Sequence, residues 1–188
     1  NVGSMIQRAI GMALAAALLP IAAPAAAQEP DNAVSCIYAG FSPEDREIAL
    51  LLIAREISQG GKFSPSSRNV ASVDALIDDG SAQCSARFHW SKTRSDAARD
   101  YALTAFLGEA IDQSLQASAR TIAPLEEYYR TNPGALSIRA DGVKQLTEYL
   151  GAHGWEKAER QELVLAALYV DTLALKDQAR TKFSAVRR

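Results

Sequence analysis

The residues able to do chemistry are few and scattered. The chain has two histidines and two tryptophans, and each histidine lies beside a tryptophan: His89 beside Trp90, and His153 near Trp155. The segments are Phe88-His89-Trp90-Ser91-Lys92 and His153-Gly154-Trp155-Glu156-Lys157. In each, a Lys follows the Trp by two residues. A flat indole next to an imidazole donor is the chemistry of a ligand or glycan platform. A Trp just before a helix start also suits a hydrophobic staple, in which the ring covers the first turn. We adopt the staple for both and keep the platform as the alternative. Aligning the tryptophans also matches Ala102 with Ala167 and Leu103 with Leu168, a faint duplication with few enough matches to arise by chance. Two histidines without H-E-x-x-H or H-x-x-x-H spacing make no metal site unless carboxylates join them. Neither a metal nor a cofactor is expected.

Asp171 is the most unusual single residue. Its helical neighbours Ala167, Leu168, Ala174 and Leu175 are all apolar. A carboxylate there is costly unless paired, so a structural hydrogen bond or ion pair to a facing element is expected. The alternative is an acid of raised pKa in a cavity, which would make a hydrolase-like enzyme of the chain through Asp171 or His89. No nucleophile elbow, P-loop or dinucleotide fingerprint supports an enzyme, and no catalytic residue is assigned. The acidic pairs Glu44-Asp45, Asp78-Asp79 and Glu126-Glu127 fit caps and turns.

The two cysteines, Cys36 and Cys84, are too far apart in sequence for a C-x-x-C redox centre. In an oxidising compartment they are expected to form one disulfide. Such a bridge restrains the unfolded chain by roughly 4 kcal/mol in the chain-entropy model.

The start of the chain points to that compartment. We read residues 1–4 as an upstream scar and Met5 as the start. Residues 5–27 are read as a signal peptide: Arg8, then an uncharged run of Ala, Leu and Ile ending in Ala25-Ala26-Ala27, with cleavage before Gln28. Pro20, Pro24 and the alanines make it a poor permanent span, which needs about 20 strongly apolar residues. An uncleaved anchor is the first alternative. A lipoprotein acylated at Cys36 is the second, with Ala33-Val34-Ser35 a poor lipobox. The expected location is the periplasm.

Composition excludes other classes. A formal net charge of −2 gives no reason to expect a nucleic-acid partner. Basic residues gather at Arg87, Lys92, Arg94 and Arg99, and again at Lys176, Arg180, Lys182, Arg187 and Arg188. The basic end is read as a solvated helix terminus, with weak contact to an anionic membrane surface as the alternative.

These residues need a scaffold, and the apolar spacing predicts an all-α bundle of about five or six helices over 42–188, after an extended lead-in over 28–41. Ser42-Pro43-Glu44-Asp45 starts a helix whose apolar stripe is Ile48, Leu51, Leu52 and Ile57, ended by Gly60-Gly61. Val70, Val73, Leu76 and Ile77 mark a second, stopped at Asp78-Asp79-Gly80. Cys84, Ala86, Phe88 and Trp90 alternate like a strand. Without an obvious partner strand, a short helix and turn is expected there. A long helix runs from Ser91 or Ser95 to about Ala117, with Ala98, Ala102, Ala105 and Gly108 allowing a close neighbour. Pro124 to Arg130 is the next. Asp141 caps another, with Val143, Leu146 and Leu150 inward. The last starts near Trp155 or Glu156 and is apolar almost all round from Leu163 to Leu175, which marks it as the central post.

The functional expectation is a non-enzymatic periplasmic protein, structural or binding. Its partner would be an envelope protein or a small ligand, met through an amphipathic helix face or the Trp junctions. Besides the hydrolase, the other alternative is a lipid or small-molecule carrier with an apolar cavity beside Leu163 to Leu175.

Overall fold

The computed structural model describes residues 32–58 and 67–186. The expected signal peptide and the Gly60-Gly61 stop lie outside the described residues. Those described fold into seven α-helices and two 3-10 turns, with no strand among them. The helices are α1 (Cys36–Ala39), α2 (Pro43–Ser58), α3 (Arg68–Phe88), α4 (Lys92–Ala117), α5 (Ala123–Thr131), α6 (Gly142–Gly151) and α7 (Arg160–Ala185). The 3-10 turns are Ala33–Ser35 and Leu136–Ile138. No described helix is long and apolar enough to cross a membrane.

The two longest helices, α4 and α7, pair along their length and form the spine. Small residues set their closeness. Gly108 of α4 faces Thr172 of α7, where an added Cβ would stand 3.2 Å from Thr172 Oγ1. Helices α1, α2 and α3 pack on α4, while α5, α6 and the Leu136–Ile138 turn pack on α7. The expectation that the last helix alone is the central post is therefore corrected. Helix α4 shares that place, since α1, α2 and α3 pack on it rather than on α7, and α7 leaves Val164 and Leu175 exposed. The core centres on Phe106, fully buried, with Tyr38 and Phe41 edge-on to its ring at 4.9 and 4.7 Å.

Several local expectations change for identifiable reasons. The described part of the extended lead-in is helical from Ala33 to Ala39, and Ala33, Val34 and Ile37 join the core. The core thus begins before Phe41. The sulfurs of Cys36 and Cys84 lie at disulfide distance, 2.03 Å, which ties α1 onto α3. Helix α3 does not stop at Gly80. The glycine stands where α1 crosses, and a Cβ there would be 3.1 Å from Ile37 Cγ2. Ile77, Ser81, Cys84 and Phe88 are buried at helical spacing, so the alternation through Trp90 reflects no strand. His89 ends α3 in the left-handed region, at φ 54°.

Capping follows the sequence more closely. Ser67 and Ser91 accept from the backbone N–H groups of Val70 and Arg94 at the starts of α3 and α4. Asp141 occupies the cap position of α6, but its side chain makes no capping bond. Helix α7 starts later than expected, at Arg160, after a turn closed by Ala158 N–H on the Trp155 carbonyl. Glu159 and Glu162 form its capping box.

Two apolar stripes are also redistributed. In α2 the inward residues are Ala49, Ile53, Glu56 and Ile57, whereas Ile48 and Leu51 point to solvent. In α6, Leu146 and Leu150 are buried but Val143 is 52% exposed.

Candidate functional site: the tyrosine-lined seam

The candidate residues from the sequence do not come together. Asp171 accepts hydrogen bonds at Oδ1 from the backbone N–H groups of Leu136 and Ser137. It holds the Leu136–Ile138 turn against α7, so the apolar helix face tolerates the carboxylate because backbone donors meet it. His89 is exposed at the end of α3. His153 is exposed too; its ring stacks on Tyr149 at 3.9 Å and its Nδ1 donates to the Tyr149 carbonyl. Both tryptophans are core residues. Trp90 stacks on Phe88 and meets Phe183 edge-on at 5.0 Å, bridging α3 to the end of α7. Trp155 lies under the Arg120 guanidinium at 5.3 Å. Neither ring is a free platform. The two junctions also differ in geometry: α4 starts two residues after Trp90, α7 five after Trp155, and Ala102 is fully buried where Ala167 is not. Among the described residues, no group of three His, Cys, Asp or Glu side chains could hold a metal.

Polar groups do converge on the seam between α4 and α7. A depression of about 210 Å³ is bordered by Tyr38, Tyr101, Glu109, Asp112, Tyr169 and Lys176. A second, of about 260 Å³, is bordered by Glu126, Tyr129, Asp177 and Arg180. Leu173 and Lys176 line both. Helical spacing explains the assembly. Positions 101, 105, 108, 109 and 112 form one face of α4, and 169, 172, 173, 176, 177 and 180 one face of α7. Ala105 and Gly108 keep the floor low, so the longer side chains rise around it.

The phenols are tied to charged partners. Tyr38 donates to Glu109 Oε2, and Arg46 binds both, from Nη2 to the phenol oxygen at 2.7 Å and to Oε2 at 2.8 Å. Tyr129 donates to Asp177 at 2.8 Å. Tyr169 donates to Glu126 at 3.4 Å. Arg180 donates to the Tyr101 hydroxyl at 3.2 Å. Burial, then the hydrogen bond to Glu109, pushes Tyr38 up to about 12. Burial, then the bond to Asp177, pushes Tyr129 up to about 12. Tyr169 is raised too, by burial first and then by the Glu126 charge. A phenol raised this far stays protonated at neutral pH. These three tyrosines are donors; none is poised as a phenolate base or nucleophile, since catalysis wants a pKa near the working pH.

A different cleft, of about 480 Å³, lies beside the Cys36–Cys84 pair. Among the described residues, its one charged lining side chain is that of Arg87. Fewer convergent polar groups make it the lesser candidate.

The sequence marks Ala105 and Gly108 as a close approach, Lys176 and Arg180 as part of the basic end and Glu126 as a cap or turn residue, but does not join them to the tyrosines of the seam. A signal was present: four of the six tyrosines fall on it, and the polar residues of α4 and α7 that line it repeat at helical spacing. The signal was masked because tyrosines at core spacing also read as packing.

No protein-family model matches this chain, and no curated protein and no solved structure is significantly similar to it.

Proposed function

We propose that this is an exported, non-enzymatic binding protein of the periplasm, which takes a polar, hydrogen-bonding ligand at the α4–α7 seam. The observation that carries the reading is the ring of protonated phenols, carboxylates and cations around the two adjoining depressions. It offers fixed donors and acceptors converging on one concave surface. The Cys36–Cys84 pair fits an oxidising compartment, in line with the signal peptide read from residues 5–27. The hydrolase alternative gains no support, because Asp171 is engaged by backbone donors and His89 stands on open surface. The lipid-carrier alternative is disfavoured by the Glu, Asp and Lys residues on the rim, since burying charge against an acyl chain is costly.

The test is native mass spectrometry of the chain isolated from the cells that encode it. Wild type retains a small polar molecule. Leu173→Arg places a long cation where the two depressions meet, and the variant loses that molecule while its circular dichroism stays unchanged. Equal retention by a folded Leu173→Arg variant would remove the seam as the site.

A further inference from the structure

The outer face of α2 carries a pattern that its place in the fold does not use. Glu44, Ile48, Leu51 and Arg55 are all exposed, Ile48 at 43% and Leu51 at 53%. Their spacing of four, three and four puts them on one stripe, opposite the buried Ala49, Ile53, Glu56 and Ile57. Single exposed apolar residues are ordinary. Here two adjoin on one stripe, with an acid one turn before and a base one turn after.

That order is self-complementary in one orientation only. If two copies of α2 meet antiparallel about an axis midway between Leu50 and Ala49, Ile48 faces Leu51 of the partner subunit, twice. The same register sets Glu44 against Arg55 of the partner subunit, again twice. A parallel pairing would set like charge on like charge. Glu47 in the antiparallel register lies near Ala54 of the partner subunit, so no like charges oppose across the seam. This a-to-d layering is that of an antiparallel coiled coil, and its two-fold symmetry is that of an isologous interface.

We propose that α2 is the contact face of an antiparallel homodimer, with Ile48 and Leu51 as its apolar centre and two Glu44–Arg55 pairs as its ends. A helix of 16 residues spans about 24 Å. A contact between two such helices falls below the roughly 1,200 Å² of stable interfaces, so the dimer is weak and exchanges quickly. It forms only where the chain is concentrated, as small transient contacts do.

Sedimentation velocity of the chain from Gln28 to Arg188 over about 10 μM to 1 mM, at low salt, tests this. Wild type shows a sedimentation coefficient that rises with concentration. Glu44→Arg and Arg55→Glu each turn both end pairs repulsive, weakening self-association by about tenfold or more. Mixing the two variants in equal amounts restores opposite charges at both ends, so the mixture associates at least as well as wild type. Both substitutions are on exposed positions, and circular dichroism confirms that the variants fold. A wild type that stays monomeric, single variants that dimerise as wild type does, or a mixture that fails to associate would each overturn the proposal.

Discussion

Arg120 and Glu162 meet in two parallel hydrogen bonds, Nε to Oε1 at 3.1 Å and Nη2 to Oε2 at 3.0 Å. Their side chains are only 18% and 11% exposed. The carboxylate also accepts from the Glu159 backbone N–H at 2.7 Å, and Arg120 Nη1 reaches the Gly154 carbonyl at 3.3 Å. One ion pair thus joins the segment after α4, the turn before α7 and the first turn of α7. A fork this well matched to a carboxylate is specific to arginine.

The pair gives acid stability a definite sign. The Arg120 hydrogen bond holds the Glu162 carboxyl below its ordinary value of 4.5. With the folded value depressed, the contribution is fully present above pH 4.5 and is lost as the pH falls through the folded value. Glu162→Gln therefore lowers the melting temperature at neutral pH by several degrees and flattens its decline below pH 4.5. Arg120→Lys keeps the charge but not the fork and recovers only part of the loss. Thermal melts from neutral to acid pH read both. A Glu162→Gln variant with the wild-type acid profile would show that the pair contributes nothing.

The spine has its own test at Gly108. A Cβ there would stand 3.2 Å from Thr172 Oγ1, and Thr172 is 1% exposed, with little room to retreat. Gly108→Ala is near neutral, because a helix-propensity gain of up to about 1 kcal/mol offsets the squeeze. Gly108→Val overpacks the seam and costs about 1–3 kcal/mol in urea unfolding. Adding Thr172→Ala returns part of that loss. A Gly108→Val variant as stable as wild type would contradict the close approach of α4 and α7.

What the sequence made legible was mostly local. Ser42-Pro43 and Ser91 mark helix starts because caps and proline act within a turn, and the small residues Ala102, Ala105 and Gly108 announce a close neighbour. Gly80 misleads because glycine serves both as a helix stop and as a site of close approach, and only the crossing of Ile37 decides between them. Ile48, Leu51 and Val143 read as core because apolar spacing does not say which of two adjacent stripes faces inward. Asp171 reads as anomalous because its partners, the backbone N–H groups of Leu136 and Ser137, lie 35 and 34 residues away. The seam needs two helices laid side by side, a relationship that no single helical period contains.

The phenols of the seam make a prediction at the other end of the pH scale. Tyr38 and Tyr129 are raised from 10.0 to about 12, so the folded chain holds these protons longer than the unfolded one. Stability from this source is present below pH 10 and is lost as the pH rises towards 12. Ultraviolet titration of tyrosinate shows part of the tyrosine ionising above the ordinary range. Glu109→Gln removes the charge that helps to hold the Tyr38 proton and moves one step of that titration down. A single titration near pH 10, with no change in Glu109→Gln, would contradict the geometry of the seam.

The proposed function has this chain work outside the cytoplasm as an oxidised, leader-free domain. Intact mass of the protein recovered from a periplasmic fraction tests it most directly. The account predicts a chain beginning at Gln28 and two hydrogens lighter than its dithiol form, through the Cys36–Cys84 bridge. A protein confined to the cytoplasmic fraction, with the leader intact and both thiols free, would contradict it.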